Sequence, residues 1–536
     1  QLPYQGQIAG TAQMHLARRE VESVQIVLRS RKKIDEVKVQ VGELKNLENG
    51  MVLPPGQIET MLVGYVKTLP APYRVEPATW RPDPLLSFMD SFSLDAEVWQ
   101  PVWIDVTAKE DTQPGTYQGH ISVSGRQAAE LKIPFSVTVW DFALPLRSKQ
   151  QQLISFNCNA HILPYVDENV DSKNADFVAF NNWKSGKVGQ LSAGAQRYRD
   201  LDLKIQEMLL RHRVNPSPIY DAHRPLRLED AQRWLDLGGN TINLSYVTAQ
   251  GIKKGELLPN WVYSRLFDFL EQIIPQLKKA GIYDYAWLYS FDEVSEASYA
   301  AAIDILAKVK EKYADLPVLT TAFDRDYGLY SGLDSYIDGW CPNIETFVRE
   351  LDKVRYMQGR GKKIWFYSLT HRPGKVMSLT IEEPATAARM TVGMAQVKYK
   401  PDGFLYYAVT EGQINQKRIS TGPLTEHNGR SYADFNGCGM LLYPSVAGPM
   451  PCIRLKAMRD GFEDFEYYAL LEDLLVKVKS GKLALSSAEL EELESLAAIN
   501  PQVIKDLEDY DRSGDVLMAE RAKIGAFLQK HKALLH

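Results

Sequence analysis

The strongest constraint on the fold is a repeated alternation of short apolar runs with helical patterns across residues 149–435. Runs rich in β-branched and aromatic residues indicate buried strands, and helical periodicity separates most of them. A series of eight strand–helix units is what a (β/α)8 barrel requires, so we predict a TIM-type barrel. Seven or nine units would also fit, because boundaries inferred from sequence shift by a few residues. The eight runs lie at 153–158, 215–220, 241–247, 285–291, 318–323, 336–341, 363–369 and 404–409.

Different patterns flank this segment in a chain of 536 residues, which is longer than one hydrophobic core usually serves. Residues 1–148 contain regularly spaced short runs such as Val102–Val106, separated by turn signals such as Gln113–Thr116. This pattern predicts an N-terminal β-sandwich. Residues 436–536 contain a strand pattern and then amphipathic helices, so we expect a small C-terminal strand and helical region packed on the barrel. The predicted fold class is α+β and multidomain.

Charge and motif content exclude several classes of function. Lys and Arg total 62 and Asp and Glu total 67, a net charge of −5, so the basic excess typical of nucleic-acid binding is missing. No apolar run is long enough to predict a membrane span. No His-Glu-x-x-His, phosphate-binding loop or Gly-x-Ser-x-Gly occurs, and the four cysteines form no Cys-x-x-Cys pair. We therefore expect neither a metal nor a cofactor.

The sequence begins at Gln1 instead of Met. Removal of a secretory signal would explain this start, and it favours an extracytoplasmic location, either periplasmic or secreted. Trimming of the sequence would look the same.

The most informative short motif is the acidic pair Asp292-Glu293. Adjacent acidic residues are common on surfaces, but this pair follows the apolar run 285–291, at the strand end where active sites of this fold lie. Ordinary retaining glycosidases need two carboxyl groups about 5 Å apart across the anomeric carbon, which sequence neighbours do not easily provide.

Substrate-assisted hydrolysis suits an adjacent pair better, because the 2-acetamido oxygen of the substrate is then the nucleophile. One carboxylate steadies the acetamido N–H, and the next residue protonates the glycosidic oxygen. Two close carboxylates are also expected to titrate in separate steps, so that one is anionic while the other holds a proton.

The residues around the pair resemble glycoside hydrolase family 123. The stretch Tyr289–Glu293 is similar to the Asp-Glu strand end of that family. Similar segments follow in the family's order along nearly the whole chain. They include Leu16–Glu20, Pro114–Gly119, Val139–Pro145, Lys363–Tyr367, Asp402–Tyr407 and Arg459–Asp464.

The resemblance implies a retaining, substrate-assisted β-N-acetylgalactosaminidase in which Asp292 orients and stabilises the acetamido group. Glu293 would be the general acid and then the base for the attacking water. Three departures stand out: Val294 replaces a frequent Pro, Tyr407 replaces a frequent Trp, and 437–439 reads Gly-Cys-Gly instead of Gly-Asp-Gly. The change at Tyr407 falls where the sugar pocket is expected, so the exact sugar stays open.

The resemblance also implies a set of substrate contacts. Tyr367 would donate a hydrogen bond to the acetamido carbonyl, and Trp340 and Trp365 would form the wall around the acetamido methyl group. Core packing is the alternative role for each of these residues. Further expected contacts to the sugar are Asn243, Tyr289, Tyr407, His371 and Arg372.

The interpretation favoured by the sequence is an exo-glycosidase that releases terminal β-linked N-acetylgalactosamine from a glycosphingolipid or another glycan. One alternative is a glycosidase of the same fold that acts on another sugar. The other is a non-catalytic glycan-binding protein, although retention of both acidic residues argues against it.

Overall fold

The computed structural model describes residues 9–71, 79–156, 162–166, 174–220, 226–249, 251–369, 374–412 and 416–535. The chain forms two compact units. The first comprises Gln1–Leu146, Arg372–Lys398 and Gln416–His536, and the second comprises Arg147–His371 and Tyr399–Asn415. The units are therefore not consecutive along the chain, unlike the three predicted ranges 1–148, 149–435 and 436–536.

The described strands are numbered in chain order. They are β1 (Ala12–Arg18), β2 (Glu20–Leu28), β3 (Ile34–Val41), β4 (Lys45–Asn46), β5 (Ile58–Lys67), β6 (Trp80–Leu86), β7 (Phe92–Leu94), β8 (Gln100–Ala108), β9 (Gly115–Gly125), β10 (Ala128–Ala143), β11 (Gln151–Ser155), β12 (Pro216–Ser217), β13 (Ile242–Val247), β14 (Ala286–Ser290), β15 (Val318–Thr320), β16 (Gly339–Trp340), β17 (Lys363–Ile364), β18 (Phe366–Ser368), β19 (Gly403–Tyr406), β20 (Leu424–Asn428), β21 (Leu442–Ser445) and β22 (Gly448–Pro451).

The described α-helices are named by their ranges. They are Ala175–Lys184, Gln196–Arg211, Leu228–Asp236, Asn260–Lys279, Tyr299–Lys312, Ile344–Arg349, Leu351–Gly359, Thr386–Val392, Met394–Tyr399, Ile453–Lys479, Ser487–Ala497 and Asp515–Lys530. None of the helices in the described ranges is both long and apolar enough to cross a membrane.

The first unit contains two sheets built from the N-terminal strands. One has the order β1-β10-β9-β3-β7, with β4 on β9, and the other has the order β2-β8-β5-β20, with β6 on β5. Most neighbours are antiparallel, as in the pair β2–β8, where Val24 lies opposite Ile104. The prediction of a sheet-rich N-terminal region is confirmed, and the later strand β20 completes its second sheet.

Strand β8 is buried on both faces, because a C-terminal helix covers one of them. Trp103 and Asp105 lie on the face toward the helix Ile453–Lys479, where Asp105 Oδ2 accepts hydrogen bonds from Lys456 Nζ at 2.7 Å and Arg459 Nη1 at 3.2 Å. Burial alone would raise the pKa of Asp105, but the two cations outweigh it and hold that pKa below its usual range. The C-terminal helix is thus part of the N-terminal unit.

A second buried ion pair joins strand β6 to the same helix. Arg454 Nε and Nη2 donate to the two carboxylate oxygens of Asp83 at 2.9 and 2.7 Å. Arg454 Nη1 donates to the backbone carbonyl of Leu379 at 2.7 Å, and Tyr443 Oη donates to Asp83 at 2.5 Å. Because both side chains are almost fully buried, each depends on the other to satisfy its charge.

Removal of one partner is therefore expected to be costly. Arg454→Met should lower the free energy of unfolding by about 3–5 kcal/mol, because Asp83 is left as a buried unpaired charge. Urea unfolding followed by tryptophan fluorescence measures the loss. The matched control is Arg430→Met, since Arg430 pairs with Asp434 at the exposed surface, and it should cost less than about 1 kcal/mol. A loss at Arg454 no larger than at Arg430 would contradict this role.

The second unit contains two all-parallel sheets, with the orders β12-β11-β19-β18 and β13-β14-β15-β16-β17. Strands β17 and β18 belong to one extended run on either side of Trp365, so this run borders both sheets. Each strand of these two sheets overlaps a predicted run. In the described segment 324–335, between the fifth and sixth runs, a short 3-10 turn, Leu333–Ser335, takes the place of an α-helix.

A closed eight-stranded barrel is not confirmed. Between β12 and β13 the described residues show no backbone ladder. Side chains bridge this seam instead: Asn215 Nδ2 donates to the Thr241 carbonyl at 2.8 Å, and Asn215 Oδ1 accepts from the Asn240 N–H at 3.1 Å. Among the described residues β12 spans only Pro216–Ser217, and the side chain of Asn215 supplies hydrogen bonds to backbone groups at the start of the third run.

Candidate active site

The acidic pair lies in a strained turn directly after β14, which is buried along its whole length. Asp292 is half-buried and Glu293 is exposed. Phe291 and Glu293 have φ angles of 58° and 47°, the left-handed region that non-glycine residues seldom occupy. The turn is held by neighbouring strands, because Phe291 N donates to the Val247 carbonyl at 2.8 Å and Thr320 Oγ1 donates to the Phe291 carbonyl at 3.1 Å. Such strain is typical of functional sites.

Two hydroxyl groups converge on one oxygen of Asp292. Tyr289 Oη donates to Asp292 Oδ1 at 2.5 Å, and Thr321 Oγ1 donates to the same oxygen at 2.9 Å. Burial, the neighbouring Tyr220 and the charge of Asp292 raise the pKa of Tyr289 far above its ordinary value, so Tyr289 remains a proton donor. Donation of two O–H groups to one oxygen suits an anionic carboxylate.

Glu293 is held at both its backbone and its carboxyl group. Its backbone N–H donates to Thr321 Oγ1 at 3.0 Å, and Oε1 accepts from Tyr367 Oη at 2.5 Å. Burial first, and the hydrogen bond to Glu293 second, raise the pKa of Tyr367 above its ordinary value. Tyr367 thus donates to Glu293 Oε1, and this hydrogen bond does not involve Oε2 of the same carboxyl group.

A cleft of about 270 Å³ lies beside the pair. Thr321 and Tyr367, which bond the two acidic residues, both line it, together with Phe323, Trp340 and Cys341. Its volume is near the lower end of the range of small-molecule sites, about 300–1,000 Å³. The predicted residues Trp340 and Tyr367 therefore meet at one cleft next to Asp292 and Glu293.

Three other predicted contacts are not among the residues that line the cleft. Tyr289 is fully buried, and its hydroxyl donates to Asp292. Asn243 is also buried, and its Oδ1 accepts from the Tyr289 N–H at 2.9 Å, where the pairing of β13 with β14 is irregular. Trp365 is fully buried against Trp287, with ring centroids 5.5 Å apart. Contacts of these three with a substrate stay predictions.

The remaining predicted contacts are Tyr407, His371 and Arg372. Tyr407 is half-buried, with its ring edge-on to Tyr406 at 5.3 Å. His371 and Arg372 lie outside the described residues.

Sequence reasoning assigned no role to Thr321 or to the two tyrosines that pack against Tyr289. Tyr246 stacks on Tyr289 with ring centroids 5.8 Å apart, and Tyr220 meets both rings edge-on. The only local signal for Thr321 was a hydroxyl residue near the end of an apolar run, a feature too common to single out. In the part of the chain that the structure describes, no three His, Cys, Asp or Glu side chains are grouped to hold a metal ion.

Two family models match the chain. The glycoside hydrolase 123 N-terminal domain matches residues 18–125, and the glycoside hydrolase 123 catalytic domain matches residues 248–471. The catalytic match includes Asp292, Glu293, Thr321 and Tyr367. No curated protein sequence matches the chain.

The structure is also similar to that of a family 123 glycoside hydrolase from Clostridium perfringens, an enzyme that hydrolyses glycolipid glycans. The TM-score is 0.69 at 14% sequence identity, over 98% of this chain and 96% of that chain. At this identity the likeness establishes a shared fold.

Two further solved structures are weakly similar. A Bacteroides ovatus family 5 xyloglucanase has a TM-score of 0.28 at 9% identity, over 85% of this chain and 99% of that chain. A family 39 glycoside hydrolase from Bacteroides cellulosilyticus has a TM-score of 0.31 at 11% identity, over 85% of this chain and 83% of that chain. Both scores are too low to support an argument.

Proposed function

Because the chain belongs to glycoside hydrolase family 123, we propose that it is a retaining, substrate-assisted exo-glycosidase that releases terminal β-linked N-acetylgalactosamine. The predicted family and the prediction of a glycoside hydrolase are confirmed. The sugar and the mechanism are our proposal. The observation that supports them is the turn after β14, in which Asp292 accepts two hydroxyl hydrogen bonds while the adjacent Glu293 stays exposed beside the cleft.

In the first step the acetamido oxygen attacks the anomeric carbon, and the bond from that carbon to the glycosidic oxygen breaks. Asp292 accepts a hydrogen bond from the acetamido N–H and balances the positive charge of the oxazolinium-type ring as it forms. Glu293 gives its proton to the leaving oxygen. In the second step Glu293 takes a proton from water, and the water oxygen attacks the anomeric carbon while the bond from that carbon to the acetamido oxygen breaks. The acetamido group is restored, and the configuration at the anomeric carbon is retained.

Tyr367 fits this scheme through its hydrogen bond to Glu293. Its hydroxyl occupies Oε1 of Glu293, so the transferable proton is assigned to Oε2. The predicted contact of Tyr367 with the acetamido carbonyl requires that hydroxyl to leave Glu293 when substrate enters. Trp340 lines the same cleft and offers the apolar wall that an acetamido methyl group needs.

The substrate class we propose is the glycan of a glycolipid. The support is the family together with the similar Clostridium perfringens enzyme, which acts on glycolipid glycans. The second candidate is a glycosidase of the same fold acting on another sugar. The half-buried Tyr407, at a position where the family often has Trp, is the residue that favours this second candidate.

Nitrophenol release from a panel of substrates tests the proposal. The β-N-acetylgalactosaminide should be cleaved fastest, and the β-galactoside should be nearly inert because it lacks the acetamido nucleophile. A thiazoline mimic of N-acetylgalactosamine should inhibit competitively, about 10²-fold or more better than the free sugar, because it resembles the bicyclic intermediate. Faster cleavage of the β-N-acetylglucosaminide would favour the second candidate. Efficient cleavage of the β-galactoside would refute the mechanism, and no cleavage of any glycoside by the folded protein would favour a glycan-binding role.

The proposal includes a closed eight-stranded ring in the second unit. Two observations support it. The two sheets share the seventh run, 363–368. One sheet contains runs 2, 1, 8 and 7 in that order, and the other contains runs 3, 4, 5, 6 and 7, so together they follow the strand order of a (β/α)8 barrel. One core cluster also draws buried residues from seven of the eight runs, among them Leu153, Leu319 and Leu405, and Tyr246 of the third run packs against it. A crystal structure with continuous pairing across the Asn215–Thr241 seam would establish the ring.

A further inference from the structure

One hydroxyl group contacts both members of the acidic pair. Thr321 Oγ1 lies 2.9 Å from Asp292 Oδ1 and 3.0 Å from the backbone nitrogen of Glu293. Thr321 directly follows β15, the strand that pairs with β14, and it is buried with only 3% of its surface exposed. It therefore reaches the turn from a neighbouring strand, as part of the wall of the cleft.

Counting protons fixes the direction of each hydrogen bond. The Glu293 N–H has to donate, so Thr321 Oγ1 accepts from it and gives its own single proton to Asp292 Oδ1. Tyr289 Oη also gives its single proton to Asp292 Oδ1. The 3.0 Å contact between the two hydroxyl oxygens then carries no proton of its own. The result is a continuous chain from the Glu293 N–H through the Thr321 hydroxyl to the carboxylate, in which each bond polarises the next.

The same hydroxyl also supports the strained turn. Asp292 stands between two residues with positive φ, Phe291 and Glu293, and such a conformation persists only when its surroundings enforce it. The Phe291 carbonyl is held by Thr320, and the Glu293 N–H is held by Thr321. Loss of the Thr321 hydroxyl would release the second half of the turn and remove one of the two donors to Asp292.

We propose that Thr321 is a positioning residue for the proposed reaction. It aims the Asp292 carboxylate at the acetamido N–H and fixes the backbone from which Glu293 reaches the glycosidic oxygen. This inference rests on the proposed function, and it adds a third residue, from another strand, to the two acidic ones. Thr321 acts through both carboxylates and takes no part in bond making itself.

The test compares three substitutions on whichever nitrophenyl glycoside the wild-type enzyme cleaves fastest. Thr321→Val keeps the shape and removes the hydroxyl, and kcat should fall about 10- to 100-fold, the range expected when a hydrogen bond to a charged group is lost. KM should change less than about threefold, since Thr321 acts on the transition state and does not contact the bound substrate directly. Thr321→Ser restores the hydroxyl and should recover most of the rate.

The matched control is Thr241→Val. Thr241 is equally buried, and its hydroxyl bonds Asn240 at the start of β13, at the opposite end of the strands from the acidic pair. Thr241→Val should change kcat less than about twofold, because it removes the hydrogen bond to Asn240 and leaves the turn at Asp292 and Glu293 unaffected. Equal losses at Thr241 and Thr321 would reduce Thr321 to a purely structural residue.

The split between kcat and KM and the rescue by serine separate positioning from mere structural support. Thr321→Val removes one of the two donors to Asp292, so the loss should fall on kcat, and Thr321→Ser should restore it. Unchanged kcat in Thr321→Val, or a Thr321→Ser protein as impaired as Thr321→Val, would overturn the proposal.

If Thr321→Val does not fold, Thr321→Cys replaces it, since a thiol keeps the volume but donates weakly, and the same criteria apply. The choice of substrate distinguishes failure of the proposed function from failure of the positioning role of Thr321. A different preferred sugar would refute the proposed function and leave the Thr321 comparison intact, whereas a silent Thr321→Val in a confirmed β-N-acetylgalactosaminidase would refute only the positioning role.

Discussion

Asp292→Asn is expected to lower kcat about 10³-fold on activated and natural substrates alike, a loss of the size seen when preorganised charge stabilisation is removed. The amide carries no charge to balance the oxazolinium-type ring. The hydroxyls of Tyr289 and Thr321 would also orient it, because both donate to the position of Oδ1. The amide oxygen must face these donors, so its NH2 group would face the acetamido N–H, donor against donor.

Steady-state rates on nitrophenyl and dinitrophenyl β-N-acetylgalactosaminides measure this loss. Asp326→Asn is the matched control. Asp326 lies in the loop after β15, and its carboxylate pairs with Lys353 at 3.2 Å on the partly exposed surface, so its loss should change the rate less than about twofold. Near wild-type turnover by a folded Asp292→Asn protein would remove Asp292 from the mechanism.

The location of the acidic pair was predictable because it depends on local features. An apolar aromatic run has to be buried, and the residues that follow it have to leave the sheet, so Asp292 and Glu293 were bound to lie at a strand end. The sequence did not predict how far along its strand each aromatic side chain lies from the cleft. Trp365 and Tyr367 are two positions apart and so lie on the same face of their run, but about 6–7 Å apart along it. Tyr367 reaches the cleft, whereas Trp365 lies in the core.

The position of Trp365 depends on a residue far away in the sequence. Its ring lies over Gly403 in β19, where an added Cβ would be 2.4 Å from the indole Cδ2, so only glycine allows this packing. Thr321 escaped prediction for a similar reason, since its partners Asp292 and Glu293 lie on another strand. Contacts between strands depend on register, which periodicity within one run does not reveal.

The same limit applies to the domain organisation. Periodicity identified the N-terminal strands and the C-terminal helices correctly as elements, but not their association in one unit. That association depends on pairs such as Asp83 with Arg454, which are 371 positions apart in the chain. A charged residue on a helix is usually solvated, so the sequence alone favours surface ion pairs. Burial of these charges becomes evident only when the opposite partner is in place.

Glu293→Gln should separate the two acidic residues by leaving group. A general acid matters in proportion to how poor the leaving group is, and a sugar alcohol leaves badly without a proton. Cleavage of natural glycans should therefore fall about 10³-fold, within the range typical of a lost general acid. Dinitrophenolate leaves readily, so its release in the first step should fall less than about tenfold.

The quantity to measure is release in a single turnover, because loss of the base also slows the second step. Glu296→Gln serves as the matched control: Glu296 lies three residues further on and pairs with Lys254 at 2.7 Å on the exposed surface, so both substrates should be cleaved at close to wild-type rates. The hydrogen bond from Tyr367 makes glutamine a close structural substitute for Glu293. Before substrate enters, the Tyr367 hydroxyl can still donate to the amide oxygen of Gln at the position of Oε1, so the substitution removes the transferable proton and keeps this hydrogen bond. Equal losses of Glu293→Gln on both substrates, or a leaving-group dependence in Asp292→Asn instead, would reverse the roles assigned to the two residues.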